Sequence, residues 1–378
     1  MLAFFLAAAF VSSPPGVSSR QVAAFRRFLH SIEVREQAEK PPWYPPGRRL
    51  FSFVQISDVH FSPAYQKYFT AACRFINTQV KPAFVVFTGD NSGSERESAQ
   101  KAFADLLKKS IKAPCFVLPG DNWPRNFCKA FRFSRFSFTC GGLAFIGMSL
   151  DLDAGDGLGV FSPESLTWLK QELAKASGKP VVYMQHEPAL PPAFLDSENL
   201  RSILRRSGNV VLCLSGHLHT DLEAREAGTL YLTAPALGPH RLHGFKVIEV
   251  YSACVVARTV GYKGGSYRYL NIFQRASLPC RLPVPKDSPP EVRALSTPPC
   301  TERRSDPSLR ARIPQLAAQL TAFALKNGYG KELLQAVIES EASPQNEASP
   351  QNEAPPQKRQ GTHTPGDSKR RSSFQNVR

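Results

Sequence analysis

From Leu50 onward, short apolar runs alternate with longer stretches whose apolar positions recur at a helical period. LFSFVQI (50–56), AFVVF (83–87), PCFVLP (114–119), VVYMQ (181–185) and VVLCL (210–214) are too short for helices and rich in Val, Phe and Ile, so they read as buried strands. AYQKYFTAACRFINTQ (64–79) and KAFADLLKKSI (101–111) read as the helices between them. SPESLTWLKQELAKA (162–176) carries a full start signal, with Ser162 as N-cap, Pro163 in the first turn and glutamate following. RFSFTCGGLAFIGMSL (135–150) reads as two strands joined at Cys140-Gly141-Gly142. TLYLTA, FKVIEVY and ACVVARTV supply a late antiparallel set. Strand-rich halves interleaved with helices predict an α/β fold in which a β-sandwich is flanked by helices, with any site along one edge.

The pattern fails at both ends. Residues 1–19 open MLAFFLAAAFVSS, whose apolar run is too short to span a bilayer and fits a signal or anchor segment, although no Lys or Arg precedes it. Residues 20–39 place Val22, Phe25, Phe28, Leu29 and Ile32 at helical spacing beside Arg20, Arg26 and Arg27, which predicts an amphipathic helix. That helix packs on the domain or lies on an anionic membrane surface. PPWYPPGRR (41–49) reads as a rigid linker into a domain over residues 50–262. Residues 263–306, rich towards their end in Pro, Arg and Ser, are expected to be a linker, and 307–340 a helical segment interrupted at Gly328 and Gly330. The hexapeptide EASPQN repeats from Glu341, and 341–378 is expected to be disordered.

Charge narrows the partners. Lys+Arg total 47 against 31 Asp+Glu, a net +16 that favours anionic partners such as phosphates or acidic lipid headgroups. No nucleic-acid-binding motif accompanies that charge, which argues against a nucleic-acid partner. The eight cysteines form no C-x-x-C pair and are too sparse for a disulfide scaffold, so they leave the redox compartment open. Exported, membrane-associated and cytoplasmic locations all stay open at this point.

The chemistry sits at the strand ends. Asp58-Val59-His60, Gly89-Asp90, Gly120-Asp121-Asn122, His186 and Gly216-His217-Leu218-His219 each follow an apolar run. Carboxylates and imidazoles are donors suited to divalent cations, and Asp58, His60, Asp90, Asp121, His186, His217 and His219 are enough for two ions. Singly each motif is weak; the ordered series is specific. Asp151, Asp153 and Asp156 in DLDAGDG lack the later glutamate of an EF-hand and read as an acidic surface turn.

This series resembles the calcineurin-like metallophosphoesterase superfamily, whose motif order is D-x-H, G-D, G-N-H, H, G-H-x-H, over residues 51–251. The resemblance implies a four-layer αββα sandwich and a dinuclear site. Asp58, His60 and His219 would hold one metal, Asp121, His186 and His217 the other, and Asp90 would bridge them. The two divalent ions would be manganese, iron or zinc, and a metal-bridging hydroxide would attack phosphorus directly.

The third motif departs from the family. Asp121 replaces an asparagine and adds a negative charge. Asn122 stands where the family has the histidine thought to protonate the leaving group, and asparagine delivers no proton at neutral pH. Either Glu187, His240 or His243 takes over, or the leaving group needs no help, as in a phosphoanhydride or aryl phosphate. Two functions therefore compete. The first is a metal-dependent phosphohydrolase of a phosphorylated small molecule or lipid-linked phosphate. The second is a catalytically impaired relative that binds a phosphorylated ligand. Retention of the seven ligand residues favours the first.

Overall fold

Within each central strand, successive side chains enter different layers, and this alternation builds the molecule. The computed structural model describes residues 35–36, 44–121, 126–153, 159–190, 192–239, 242–284, 290–300, 307–312 and 315–316. In chain order, the strands that open the fold are β1 (Arg35–Glu36), β2 (Arg49–Ile56), β3 (Val85–Thr88) and β4 (Cys115–Leu118), with β5 (Phe136–Cys140) and β6 (Leu143–Gly147) after them. A two-residue pair, β7 (Leu152–Asp153) and β8 (Gly159–Val160), precedes β9 (Val181–Met184), β10 (Val210–Ser215), β11 (Leu222–Glu226) and β12 (Thr229–Thr233). The series closes with β13 (Phe245–Tyr251), β14 (Cys254–Lys263), β15 (Ser266–Ser277) and β16 (Arg293–Ser296).

Two mixed sheets result. One has the order β1-β11-β12-β10-β9-β6-β5-β16 and the other β15-β14-β13-β2-β3-β4. Strands β2, β3 and β4 run parallel, as do β6, β9, β10 and β12. Phe53, Phe84, Val86, Leu212, Leu214, Ile248 and Val250 lie in the core between the sheets. Their neighbours Val54, Val85, Phe87 and Val247 face outward under helices α1 (Gln66–Phe75) and α2 (Glu97–Ser110). On the other side, Cys213, Val181, Tyr183 and Ile146 pack beneath α4 (Pro163–Lys175) and α5 (Ser197–Ser207), the short α3 being Phe127–Ala130. The layers are thus helix, sheet, sheet, helix, as the resemblance implies. The N-cap at Ser162 is also as read, its hydroxyl accepting from the Ser165 amide with Pro163 in the first turn.

Phenylalanines dominate the space between the sheets. Phe53 stacks on Phe84 at 4.9 Å, Phe138 on Phe145 at 4.9 Å, and Phe84 meets Phe145 edge-on at 5.0 Å. Rigid aromatic packing at the sandwich centre fixes the spacing from which the strand-end loops project.

Two expectations need correction. Within the expected linker 263–306, Ser266–Ser277 and Arg293–Ser296 are strands. β15 alternates buried and exposed positions along its length and pairs with β14, while β16 adds to the edge of the other sheet through Arg293↔Thr139 and Ala294↔Phe138. The alternation of β15 was present in the sequence, masked by its arginines. Cys300 is also bonded to Cys128 on α3, across 172 residues. In the expected helix over 20–39, Arg35 and Glu36 form a strand instead, because the edge of β11 offers unpaired backbone groups at Glu223 and Leu222. The rest of that helix, the segment 1–19 and the tail 341–378 lie outside the described residues. Of the helical segment 307–340, Pro307–Arg310 forms the short helix α6.

Phe84 is fully buried where four phenylalanine pairs meet. Phe84→Ala is expected to cost about 3–5 kcal/mol of unfolding free energy, measured by urea denaturation with an unchanged m-value. A loss below about 1 kcal/mol, in the range of an ordinary surface change, would contradict the structural weight given to this cluster.

Candidate metal centre

The loops after β2, β3, β4, β9 and β10 converge at one edge of the sandwich, stitched by their backbones. The Asp58 amide donates to Gly89 O (3.1 Å), His60 to Asp90 O (2.9 Å), Gly216 to His186 O (2.8 Å) and Gly238 to Asp58 O (2.9 Å). Close approach restricts two glycines. A Cβ on Gly120 would fall on the Asp90 carboxylate, and one on Gly216 would fall on Ser57 Oγ. The glycines of these motifs are therefore clearance for neighbouring ligand side chains.

Five of the seven candidate ligands have positive φ: Asp58 (53°), His60 (42°), Asp90 (51°), His217 (67°) and His219 (55°). Residues other than glycine rarely adopt this region, and each instance costs about 1–3 kcal/mol. Five together on these loops mark a place where surrounding structure holds the backbone against its preference.

All seven side chains come together. Asp58, His60 and His219 form one group with donor atoms within 4.8 Å of one another, and Asp121, His186 and His217 form a second. Asp58, Asp90 and His186 form a third that joins them. Asp90 divides its carboxylate between the two sides, Oδ2 lying 3.4 Å from His60 Nε2 and Oδ1 3.5 Å from His186 Nε2. In the first group, His219 Nε2 is 3.2 Å from Asp58 Oδ1 and 3.4 Å from His60 Nε2. In the second, Asp121 Oδ1 is 2.8 Å from His186 Nε2 and 3.1 Å from His217 Nδ1. Asp58, Asp90 and His186 are fully buried, while His219 keeps 19% of its side chain exposed, so the cluster opens towards solvent on one side.

The donors fit divalent cations. Thr88 O can only accept, so His186 Nδ1, 2.8 Å away, donates to it, and Nε2, facing the carboxylates, is the nitrogen that gives up its proton when a cation is taken. An outward N–H on a backbone carbonyl is the usual support of a metal-ligating histidine. His217 presents Nδ1 to Asp121 in the second group, and its Nε2 is buried with no hydrogen-bond partner among the described residues.

Electrostatics agree. Burial pushes the Asp58 and Asp121 carboxyls up, but imidazoles outweigh it: His219 and His186 hold Asp58, and His217 and His186 hold Asp121, below the usual carboxylate range. Burial likewise pushes His186 and His217 down. The carboxylates outweigh it, Asp90 and Asp121 leading at His186 and Asp121 at His217, so both imidazoles rise above their ordinary value. At His60 burial prevails over Asp90 and Asp58, and its value falls.

Asn122 and His240 lie outside the described residues. Glu187 is fully buried beside His186, and its charge contributes to raising His217. His243 belongs to neither triad; it stacks on Tyr68 at 3.5 Å, and its Nδ1 lies 3.2 Å from Leu237 O. Asp151, read as part of an acidic surface turn, instead accepts from the Ser162 amide and the Ser165 hydroxyl at the start of α4. Sequence reading passed over the buried Gln55 and Lys246, whose side chains reach Ser215 O and Asp221 on either side of the His217–His219 segment; the signal available was a polar residue interrupting an inward-facing apolar series.

Residues 51–221 match the calcineurin-like phosphoesterase family, a family of hydrolases. It is 26% identical over 194 residues to a probable glycerophosphodiester phosphodiesterase of Arcobacter nitrofigilis, covering 44% of this chain and 71% of that protein. It is 29% identical over 168 residues to a 3',5'-cyclic adenosine monophosphate phosphodiesterase of Escherichia coli, covering 40% of this chain and 60% of that one. A dimetal phosphatase of Danio rerio superposes with a TM-score of 0.48 at 16% identity, over 59% of this chain and 99% of that chain.

Loading the cluster with a cation must displace protons from His186 and His217, whose values lie above the ordinary 6.5. Metal affinity is therefore expected to fall as the pH is lowered through the neutral range, with the decline beginning above pH 6.5. Calorimetric titration of the metal-free chain with Mn2+, in buffers of different ionisation enthalpy, should show proton release; affinity independent of pH without proton release would refute this.

Proposed function

We propose that this chain is a metal-dependent phosphohydrolase with a dinuclear centre, acting on a phosphodiester or related activated phosphate of a small molecule. One observation carries the reading: two Asp/His groups of donors joined through Asp90, whose two oxygens face opposite sides. In this reading Asp58, His60 and His219 hold one cation, Asp121, His186 and His217 the other, and Asp90 lies between. Held by these residues, two divalent ions would lower the pKa of bound water and polarise phosphoryl oxygens.

The residues of the chain supply the rest. His186, oriented by Thr88 O, and Asp58, accepting from the His217 amide, keep the donors converged before any ion arrives. That preorganisation avoids a reorganisation cost at the moment of reaction. The buried carboxylates, with burial on their inner side and an opening on the other, restrict approach to one face. The net charge of +16 favours an anionic substrate. The names of the two bacterial relatives support a phosphodiester.

Asn122 sharpens the substrate class. An amide hydrogen-bonds a phosphoryl oxygen but cannot protonate a departing alkoxide. A leaving group that departs as a stable anion, from an aryl ester or an anhydride, fits such a residue.

Asp90→Asn is expected to abolish hydrolysis of bis-(p-nitrophenyl) phosphate by more than about 100-fold, beyond the cost of losing an outer partner of a ligand, with little change in the circular dichroism spectrum. Wild-type protein that binds metal yet turns over no phosphoester would favour the ligand-binding alternative. For the leaving-group reading, Asn122→His should raise rates on alkyl esters steeply and on aryl esters little. Equal wild-type rates on alkyl and aryl diesters would overturn it.

A further inference from the structure

The inner faces of β2, β13, β14 and β15 are apolar towards the sandwich centre, at Phe51, Phe53, Ile248, Val250, Val255, Ala257 and Ala276. One step further along each strand, towards the candidate centre, the same face turns polar at Gln55, Lys246, Thr259 and Gln274, all almost completely buried. Lys246 is register partner to Gln55 on one side and to Thr259 on the other, so the polar row crosses adjacent strands.

This row reaches across to the opposite sheet at two points. Gln55 Nε2 donates to Ser215 O at 2.8 Å, at the last residue of β10. Lys246 Nζ donates to Asp221 Oδ1 at 2.5 Å, immediately before β11 begins. Its other donors meet Thr259 Oγ1 (3.1 Å) and Gln274 Oε1 (2.9 Å). Thr259 Oγ1 in turn donates to Asp221 Oδ2, and Gln274 Nε2 donates to Asp221 Oδ1 at 3.4 Å. The lysine, carboxylate, hydroxyl and amide thus close a ring in which each buried charge is met, the condition under which such a network holds a single arrangement.

Between these two grips lies Gly216-His217-Leu218-His219-Thr220. Both histidines have positive φ, so the segment would relax if released. Each of the two Asp/His groups takes one imidazole from it.

We propose that Gln55 and Lys246 are positioning residues that hold the His217–His219 loop at both ends from the opposite sheet, so that neither candidate metal site keeps its affinity without them. The inference rests on the dinuclear reading above. An ordinary structural ion pair would affect folding alone. This pair sets the geometry of a loop shared by both sites, so its loss weakens both binding steps together, whereas His60→Ala weakens one.

The test uses the full chain and Mn2+ alone, with affinity from chelator competition, stability from urea denaturation and amide hydrogen exchange read over residues 216–221 in metal-free protein. Replacing both charges, in Lys246→Met/Asp221→Leu, leaves no unpaired buried charge and is often neutral for folding. The expected result is a wild-type-like denaturation midpoint, faster exchange at 216–221, and both Mn2+ affinities lowered by about 10–100-fold, the range for partners of ligands. Gln55→Met, which removes no charge, should lower both in the same sense and decides the matter if the double variant fails to fold. Variants that fold and bind Mn2+ with wild-type affinity overturn this inference and leave the dinuclear reading standing. A wild-type chain that binds no divalent ion sinks both.

Discussion

Three carboxylates, Asp58, Asp90 and Asp121, are drawn within a few ångströms of the same imidazoles, and two of the three are fully buried. Buried like charges repel strongly unless cations or protons offset them. In the ion-free protein the offset comes from His186 and His217, raised above their ordinary values by those same carboxylates. Most other features at this edge follow from the need to hold the cluster closed. Glycines clear space for it, positive-φ residues turn side chains into it, and backbone bonds tie loop to loop.

What keeps strained loops in place is the rigidity beneath them. The phenylalanine core fixes the distance between sheets, and helices on both outer faces lock the strands. Each ligand is only a residue or a few beyond a strand end, so little chain is free to relax. Strain of this kind persists only where the structure around it over-determines it.

The strands and the clustering of the seven candidate residues were legible because both signals are local. A fully buried strand is a short apolar run, and a ligand loop announces itself at its end, as VVLCLS does before Gly216-His217-Leu218-His219. Long-range consequences were not legible. β16 is a mostly exposed edge strand in a proline-rich stretch, recruited only because β5 leaves an open edge. The Cys128–Cys300 bond joins cysteines whose spacing carries no pattern. Lys246 looked like one charged residue in FKVIEVY, and its role depends on Asp221 arriving from the other sheet. The helical period over 20–39 was genuine, yet at Arg35 and Glu36 an unpaired sheet edge outweighed it.

The disulfide divides the domain in a way the layers do not reveal. It closes the chain between Cys128 and Cys300 into a covalent ring that contains His186, His217 and His219. All three aspartates and His60 belong to the linear segment ahead of it. The two parts meet where β2 of the linear segment pairs with β13 of the ring. Ring closure removes about 5 kcal/mol of disorder from the unfolded chain in the entropy treatment of such bonds, but it does nothing to shorten the search of the linear segment for the ring. A folded ring alone presents imidazoles without a carboxylate of the set, and a folded linear segment presents carboxylates with one imidazole. Neither has the mixed donors of the candidate cation site, so the cluster is assembled only when the two parts dock.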